Sequence, residues 1–359
     1  MARHRLLFYT HGLAGGGAER VWALVASGLS ARGHEVAFAV DFDAPENEHL
    51  IAPSVRRHRL GRSHFAATRA LARILSRDRP EVALSAVGVS NLKLLAAKSI
   101  SSWRGAAVLS VHGRYEAEPR FGGRAGYAAT ALTSRLSART IAVSDNLRRY
   151  LIDRLRADPR RVVVIHNGVQ LPPLSSLPDA AALSARADVI LAIGRFVPEK
   201  AMTTLIEATA KLKRAARLII LGDGPERSRI EEMIKQNNLA DRVTLRGYVK
   251  EPWPVFAEAK MLALSSRTEA FGNVVVEALA HGLPVVATRC GGPEEILDDG
   301  RYGRLVAVGD SVALAQAIDA TLAEPGDPLA HRARAEQFSL DRALDRFEEL
   351  IERILSERH

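Results

Sequence analysis

The chain has 359 residues, of which 47% are hydrophobic and 25% charged, a composition that is ordinary for a globular protein large enough for two domains. A single cysteine, Cys290, excludes a disulfide framework and fits a reducing compartment. No signal peptide is visible, and no stretch approaches the roughly 20 apolar residues of a membrane span, so we expect a cytoplasmic protein.

The net charge of +9 is divided unevenly along the chain. Residues 1–175 carry 26 Lys and Arg against 13 Asp and Glu, whereas residues 176–359 carry 24 against 28. A basic first half is either a solvated surface or a surface for an anionic partner, such as a phosphorylated substrate, a membrane or a nucleic acid. Nucleic acid is disfavoured, because aromatic residues are only 5% of the chain and are not interleaved with the basic residues.

The first half alternates short apolar runs with helical patterns. The runs predict strands at Leu6–Thr10, Val36–Val40, Val82–Ser85, Ala107–Val111, Thr140–Val143 and Val162–Ile165. Helices are predicted between them at Ala18–Ala31, Ser63–Ser76 and Asn146–Leu155. Continuously apolar strands joined by helices are typical of a parallel, doubly wound sheet.

The second half repeats this rhythm. Strands are predicted at Val189–Ile193, Leu218–Leu221, Val243–Leu245, Met261–Leu264 and Pro284–Ala287, and helices at Lys200–Arg214, Glu226–Asn237 and Ser311–Leu322. We therefore predict an α/β protein of two Rossmann-like domains, over residues 1–169 and 188–339, facing across a cleft. A Pro- and Ser-rich linker is predicted at 170–187. A C-terminal helix is predicted at 340–359, with two alternatives: it packs back on the first domain or it packs on the second.

Glycine-rich turns follow the predicted strands where phosphates bind in such folds. Gly15, Gly16 and Gly17 open the first helix, although their spacing departs from the dinucleotide-binding G-x-G-x-x-G. The sequence VDFD places Asp41 and Asp43 in a D-x-D pattern, which binds a divalent metal in some transferases. Because they end the second strand, we interpret them as a turn.

The first strand of the second domain ends in IGRFVPEK, which contains Arg195 and Lys200. Two cations at the carboxyl end of a parallel strand suit a diphosphate. The alternative is that they cap the sheet through Glu199 or Glu226. A further turn, LGDGPE, brings the backbone of Gly222 to the same edge.

The stretch TEAFGNVVVEALAHGLPVVAT contains two carboxylates eight residues apart, Glu269 and Glu277. Glu277 lies in an otherwise apolar helix, where an unpaired charge is costly, so we expect a donor-rich partner such as a ribose diol. Phe271, Gly272 and Asn273 open this helix. Phosphate, ribose and sugar contacts in one row indicate a nucleotide-sugar. We interpret His281, at the end of the helix, as a cation there.

The combination of GGGAER, VSDNLRRYL, VIHNGV, IGRFVPEK, GDGPE and TEAFGNVVVEALAHGLPVVAT resembles the retaining GT-B glycosyltransferases of family 4. The resemblance runs over nearly the whole chain. It implies a first domain that binds the acceptor and a second that binds the donor, with no metal and no cofactor. It assigns catalytic roles to His112, Arg195, Lys200 and Glu269. The donor would be bound by Gly16, Gly17, Arg195, Lys200, Gly222, Phe271, Gly272, Asn273, Val274 and Glu277.

The expected function is transfer of a hexose from a nucleoside diphosphate sugar, with UDP favoured, to a glycan or lipid-linked glycan. GGAER most resembles enzymes that extend polysaccharides or lipid-linked oligosaccharides, including galactosyl- and N-acetylgalactosaminyltransferases. We expect peripheral binding to an anionic membrane surface, through an amphipathic helix in 55–75 and the run 114–139. One departure from the family is Ala201, where glycine is usual; we expect it to begin a helix without strain.

Three rival functions are compatible with Rossmann-like domains. A nucleotide-sugar epimerase or a phosphorylase shares the GT-B fold, and isomerisation of the donor without acceptor would identify the epimerase. A dinucleotide-binding oxidoreductase is opposed by the missing G-x-G-x-x-G spacing and by the two phosphate-binding cations. By residue type alone, His112 is a structural histidine that bonds to the next loop, and only the family resemblance gives it a role beside the sugar.

Overall fold

A computed structural model of the chain describes residues 2–14, 16–42, 44, 46–117 and 121–358. Gly15 and Asp43, which the sequence singles out, lie outside the described residues. The chain divides into two compact units: residues 1–168 together with 340–359, and residues 169–339. Each unit is built on its own parallel sheet.

The first unit contains seven strands in its described part, all parallel, in the order β3-β2-β1-β4-β5-β6-β7. They are β1 Arg5–Thr10, β2 Glu35–Val40, β3 Arg56–Arg59, β4 Val82–Ala86, β5 Ala106–Val111, β6 Arg139–Ala142 and β7 Val162–Val164. The helices between them are α1 Gly17–Ala31, α2 His64–Asp78, α3 Gly88–Ser99, α4 Phe121–Ala128, α5 Thr130–Leu136 and α6 Asp145–Asp153.

Both faces of this sheet are buried, which is why its central strands are mostly apolar, although they include small buried hydroxyl residues such as Ser85 and Ser110. Leu6 and Phe8 of β1 belong to a core shared with α1, whereas Leu7 and Tyr9 point to the opposite face and pack with α2 and α3. Alternate residues of a strand face opposite sides of the sheet, so a strand covered on both sides has no polar face.

The second unit contains six parallel strands in the order β10-β9-β8-β11-β12-β13. They are β8 Val189–Ile193, β9 Arg217–Leu221, β10 Val243–Gly247, β11 Met261–Leu264, β12 Val285–Thr288 and β13 Arg304–Val306. Its helices are α7 Ala180–Ala185, α8 Met202–Ala210, α9 Arg227–Gln236, α10 Trp253–Glu258, α11 Asn273–Ala280, α12 Gly292–Ile296, α13 Ser311–Ala323 and α14 Pro328–Glu336.

The last helix, α15 (Leu340–Ser356), belongs to the first unit. Its apolar side, with Leu344, Phe347 and Ile351, is buried in the core that contains α1. The stretch 170–187, predicted as a linker, groups with the second unit. It contains α7, whose Leu183 is fully buried, and Arg332 Nη1 donates a hydrogen bond to the Pro172 carbonyl at 2.6 Å.

The predicted doubly wound architecture of two parallel sheets is confirmed. Sequence analysis missed two edge strands, β3 and β13. β3 has the sequence RRHR, and it is recognisable as a strand only because it pairs with β2. Within the predicted membrane-contact segment 55–75, the helix predicted at Ser63–Ser76 is present as α2, whereas residues 56–59 form a strand and not part of that helix. The stretch contains β3, then a turn, then α2, whose N-cap Ser63 accepts a hydrogen bond from the Ala66 amide.

Candidate donor-binding site

The candidate site lies at the point where the strand order of the second sheet reverses. β8 is flanked by β9 on one side and by β11 on the other. The loops after β8 and β11 therefore diverge and leave a crevice outside the carboxyl ends of the strands, where open α/β sheets bind ligands. The loop after β8 carries Arg195 and Lys200, and the loop after β11 carries Glu269.

The structure brings two of the predicted residues into direct contact. Lys200 Nζ lies 2.5 Å from Glu269 Oε1, and Ser266 Oγ donates to the same oxygen at 2.7 Å. A second hydrogen bond joins the loop after β11 to the loop after β8, because the Ser265 hydroxyl donates to the Lys200 carbonyl at 3.0 Å. The Glu269 side chain is 12% exposed and that of Lys200 is 24% exposed. The pair is thus shielded, yet open enough to meet a ligand.

Arg195 presents a cation that the protein itself does not neutralise. Its side chain is exposed, and within the described part of the chain its guanidinium has no ion-pair partner. The alternative of a sheet cap through Glu199 or Glu226 is wrong. Glu226 pairs with Arg229 at 3.3 Å, and the Lys200 ammonium pairs with Glu269.

Gly222 lies at the same edge of the sheet. A glycine is required at this position because the loop after β8 passes close to it. Its φ is +138°, and a Cβ there would lie 1.9 Å from the Gly194 carbonyl oxygen. The Gly222 amide donates to Gly247 O at 2.7 Å. The two loops after β8 and β9 are therefore in backbone contact, and a side chain at this position would force the loop that carries Arg195 to move.

Gly272 is the N-cap of α11 and has φ +108°, a left-handed conformation that glycine adopts without strain. The first-turn amides of a helix point away from the helix and favour an anion, and Asn273 and Val274 lie in the first turn of α11. Phe271, before the cap, is only 2% exposed, and its ring contacts Phe338 at 5.6 Å between centroids. This aromatic contact anchors the loop that opens the helix.

Glu277 is buried inside α11, at 8% exposure, as the sequence predicts. Its own carbonyl accepts a hydrogen bond from His281 Nδ1 at 2.8 Å. The interpretation of His281 as a cation is wrong: burial lowers its pKa below 6.5, and its ring stacks on Phe256 at 4.6 Å. A neutral imidazole therefore donates a hydrogen bond to a backbone carbonyl near the end of α11.

Ala201 is a second correction. It does not begin the helix without strain, because its backbone is left-handed, with φ 45° and ψ 44°. The chain must turn from the short 3₁₀ segment Pro198–Lys200 into α8, and that reversal needs a left-handed residue. Alanine pays the steric cost that the glycine of the family pattern avoids.

Sequence analysis missed the polar floor of the site. Ser265 and Ser266 follow β11 and are buried, and the buried Thr288, which ends β12, donates to the Ser266 carbonyl at 2.5 Å. Their signal is a run of small hydroxyl residues directly after buried strands. Cys290 lies beside them, and burial raises the pKa of its thiol to about 12, so it is no nucleophile at neutral pH.

The first unit holds the other predicted residues, and the structure describes them within that unit. His112 follows β5, and its Nε2 lies 2.9 Å from the Ser110 hydroxyl. Burial lowers the pKa of His112 to about 4, so its ring is neutral at pH 7. Its Nδ1 is buried and has no hydrogen-bond partner among the described residues. Gly16 caps α1, and Gly17 is its first residue.

The turn after β2 carries more than the sequence suggests. Asp41 is 1% exposed, and its carboxylate accepts hydrogen bonds from Tyr9, His11 and Lys93. The expectation of a simple turn there understated its role, since the contacts come from β1 and α3, which are distant in sequence.

Comparison with known protein families finds a match in each half of the chain. Residues 15–171 match the family described as Glycosyltransferase Family 4, and residues 187–324 match Glycosyl transferases group 1. The two matches fall in the two units and together span most of the chain. The chain therefore contains a Glycosyltransferase Family 4 domain and a Glycosyl transferases group 1 domain.

Curated relatives match over part of their length. The lipopolysaccharide core biosynthesis glycosyltransferase LpsE of Rhizobium meliloti is 34% identical over 180 residues, which are 48% of this chain and 53% of the relative. A second relative is the N-acetylgalactosaminyltransferase of Campylobacter jejuni that acts on an undecaprenol-linked diphospho-sugar. It is 29% identical over 52% of this chain and 51% of the relative's length. The chain thus spans about half the length of these relatives.

Among solved structures, Anabaena HepE in complex with UDP and glucose superposes with a TM-score of 0.83. It is 21% identical and covers 98% of this chain and 100% of its own. Sucrose-phosphate synthase of Thermosynechococcus elongatus gives 0.83 at 20% identity, over 99% and 100%. These likenesses establish the GT-B fold. Among the described helices, none has the length and hydropathy to span a membrane.

Proposed function

We propose that the protein transfers a hexose from a nucleoside diphosphate sugar, with UDP favoured, to a hydroxyl of a glycan or lipid-linked glycan, with retention of the α configuration. The observation that carries the proposal is the contact between Lys200 and Glu269 at the switch point of the second sheet, with the exposed Arg195 in the same loop as Lys200. Two cations and one carboxylate there match a diphosphate joined to a sugar.

Catalysis would rest on the leaving group. Breaking the bond between the sugar and the diphosphate leaves negative charge on the phosphate oxygens, and preorganised positive groups lower the barrier to that step. The free guanidinium of Arg195, the ammonium of Lys200 and the amides at the start of α11 would supply that charge. Glu277, buried one turn into α11, would accept hydrogen bonds from the ribose hydroxyls.

The same residues explain why we propose that no metal is needed. In metal-dependent transferases a divalent cation balances the diphosphate, and here two protein cations would balance it. Glu269 would then face the sugar, where a carboxylate stabilises developing positive charge. Retention would follow if the acceptor attacks from the face of the leaving group and gives its proton to the departing phosphate.

We further propose that the first unit binds a membrane surface. The helix α2 exposes Phe65 at 71%, with the Arg69 guanidinium 5.5 Å from the ring centre. On α5, Leu132 and Leu136 are 59% and 57% exposed. Exposed apolar side chains among arginines are the pattern of an interfacial surface. The relatives named above act on lipopolysaccharide core and on a diphospho-undecaprenol substrate, which agrees with such a location.

A donor screen tests the central proposal. Each nucleoside diphosphate sugar is incubated with the full chain, first alone and then with lipid-linked oligosaccharide extracts, and release of the diphosphate is measured in the presence of EDTA. We expect acceptor-dependent release from one UDP-sugar and an α linkage in the product by NMR. Isomerisation of the donor without acceptor would instead identify an epimerase, and a requirement for Mn²⁺ would contradict the metal-free mechanism.

A further inference from the structure

A second polar cluster lies at the switch point of the first sheet. β1 is flanked by β2 and by β4, so the loops after β1 and β4 diverge as those after β8 and β11 do. His11 follows β1 directly, Asp41 follows β2, and Lys93 lies on α3, which follows β4. By the general rule for open parallel sheets, this edge is a place for a ligand.

Asp41 organises the cluster. Its Oδ1 accepts from the Tyr9 hydroxyl at 2.9 Å, and its Oδ2 accepts from His11 Nδ1 at 2.5 Å and from Lys93 Nζ. Burial acts to raise the pKa of Asp41, but the hydrogen bonds from His11 and Lys93 outweigh it and lower the pKa. The carboxylate is therefore charged, and it balances the buried ammonium of Lys93.

The histidines extend the cluster toward solvent. Because His11 uses Nδ1 for Asp41, its Nε2 is the nitrogen left for a ligand. The His11 side chain is 25% exposed, and its ring stacks on exposed His64 with 5.6 Å between centroids. The Arg62 guanidinium lies 5.8 Å from the centre of the Phe42 ring, whose own centre is 4.8 Å from that of His11.

The surroundings of the two imidazoles are electropositive. The pKa of His64 is lowered first by the charge of Lys93, then by burial and by His11. A positive charge that lowers the pKa of a nearby imidazole also attracts an anion. The charge of Asp41 opposes this shift of the His64 pKa, but its effect is smaller than that of Lys93.

A divalent metal fits this cluster less well. His11, Asp41 and His64 can place one ligand atom each within 4.8 Å of one another. However, the carboxylate oxygen nearest His11 also binds Lys93, so a metal ion would sit beside a buried ammonium. Repulsion between these charges is strong where water is excluded.

We propose that His11 and His64, with Arg62 beside them, bind a phosphate group of the acceptor, and that Asp41 and Lys93 position His11 for this contact. The proposal rests on the proposed function, because it describes the acceptor of the same reaction. A phosphate would receive hydrogen bonds from both imidazoles and from the guanidinium. The acceptor would thus be a phosphorylated or diphosphate-linked glycan carrier.

The test follows the histidine ring signals of the full chain by NMR, with UDP saturating and EDTA present. UDP fills the site of the second unit, so that an added phosphate reports on the first unit. The soluble probe is glucose 1-phosphate, and vesicles that contain phosphatidic acid form the second arm, read by sedimentation. The variants are His11→Gln and His64→Gln, and His49→Gln, an exposed histidine of the same unit, is the matched control.

We expect the soluble probe or the vesicles to bind wild type, with affinity reduced about tenfold in His11→Gln and in His64→Gln, as for loss of a charged hydrogen bond. His49→Gln should bind as wild type. A response to the sugar phosphate supports a free phosphorylated acceptor, and a response to the vesicles alone supports a lipid phosphate. Equal binding by all variants in both arms overturns the proposal. So does Mn²⁺ broadening of these signals, in a separate titration without EDTA, if no phosphate response is seen. Donor turnover that survives either result leaves the proposed function intact.

Discussion

Lys200 Nζ lies 2.5 Å from Glu269 Oε1, across the switch point of the second sheet. The two residues are 69 positions apart in sequence, and both belong to loops at the carboxyl ends of neighbouring strands. In the absence of a donor, the carboxylate satisfies the cation. In the proposed reaction a bound diphosphate would offer Lys200 a second anion, and the sugar would lie beside Glu269.

Replacing Lys200 with methionine should therefore reduce turnover by about a hundredfold or more, since a preorganised charge at a leaving group is worth several kcal/mol. The Glu269 carboxylate would also lose its cation. The measurement is steady-state diphosphate release at saturating donor. Lys211→Met, which removes an exposed lysine bonded to Ser311 in the same unit, is the control and should keep full activity. Equal turnover in the two variants would remove Lys200 from the mechanism.

Glu277→Gln should weaken UDP binding by about tenfold, because a ribose hydroxyl loses a charged acceptor. The side chain keeps its shape and its buried position, so the fold should persist. Isothermal titration with UDP measures the affinity, and thermal unfolding checks the fold. The exposed Glu231→Gln, on α9, controls for the loss of one negative charge. Unchanged affinity together with a lower melting temperature would make Glu277 a structural residue.

Ala201→Gly should stabilise the protein by about 1 kcal/mol, because glycine adopts the left-handed backbone of this position without the Cβ clash. The change removes only a methyl group. Ala96→Gly is the matched control: Ala96 is exposed within α3, where glycine should cost about 0.5–1 kcal/mol. Denaturant unfolding of the three proteins measures both effects. Destabilisation by both substitutions would show that the turn into α8 holds no strain.

Helix α15 is fastened to the first unit by a pH-dependent contact. His4 Nε2 lies 3.0 Å from Glu352 Oε1 and Nδ1 3.3 Å from Glu81 Oε1. Burial lowers the pKa of His4, but the bonds to Glu352 and Glu81 raise it overall above 6.5. Protonated His4 thus stabilises the fold below pH 6.5, and this contribution is lost as the pH rises through the folded-state pKa.

The difference in unfolding free energy between wild type and His4→Gln should therefore be larger at about pH 6 than at about pH 8.5. Comparing the two proteins is necessary because other histidines change the unfolding free energy in the opposite sense. His58, His281 and His331 have lowered pKa values, so they destabilise the folded protein as the pH falls. Urea unfolding at both pH values measures the difference. A difference that is constant with pH would show that His4 stays neutral in the folded protein.

Phe65→Ser should reduce binding to anionic vesicles, since an exposed aromatic side chain among arginines no longer inserts into the interface. Co-sedimentation with vesicles of anionic and of neutral lipid, at low and high salt, measures the effect. Ile100→Ser is the matched control, because Ile100 is 61% exposed in the same unit but ends α3 at the opposite edge of the sheet. Equal loss in both variants, or no binding by wild type, would leave the first unit without a membrane surface.

The sequence by itself determined the architecture and the cations of the candidate site. Buried parallel strands are mostly apolar, and the helices between them show helical periodicity, so most strands of both sheets were readable from local pattern. Because ligands bind beyond the carboxyl ends of such strands, Arg195 and Lys200 could be placed at the site from their positions after β8. Glu277 stood out as a charge within an apolar helix.

Only the tertiary structure decided which of these groups meet. The Lys200–Glu269 contact, the convergence of His11 and Lys93 on Asp41, and the placement of α15 in the first unit each join residues far apart in sequence. The strand β3 has no apolar pattern, since an edge strand needs only a partner's backbone. The left-handed backbone of Ala201 is likewise set by the loop that it closes, because local sequence fixes the preference of a residue and the surrounding chain fixes its conformation.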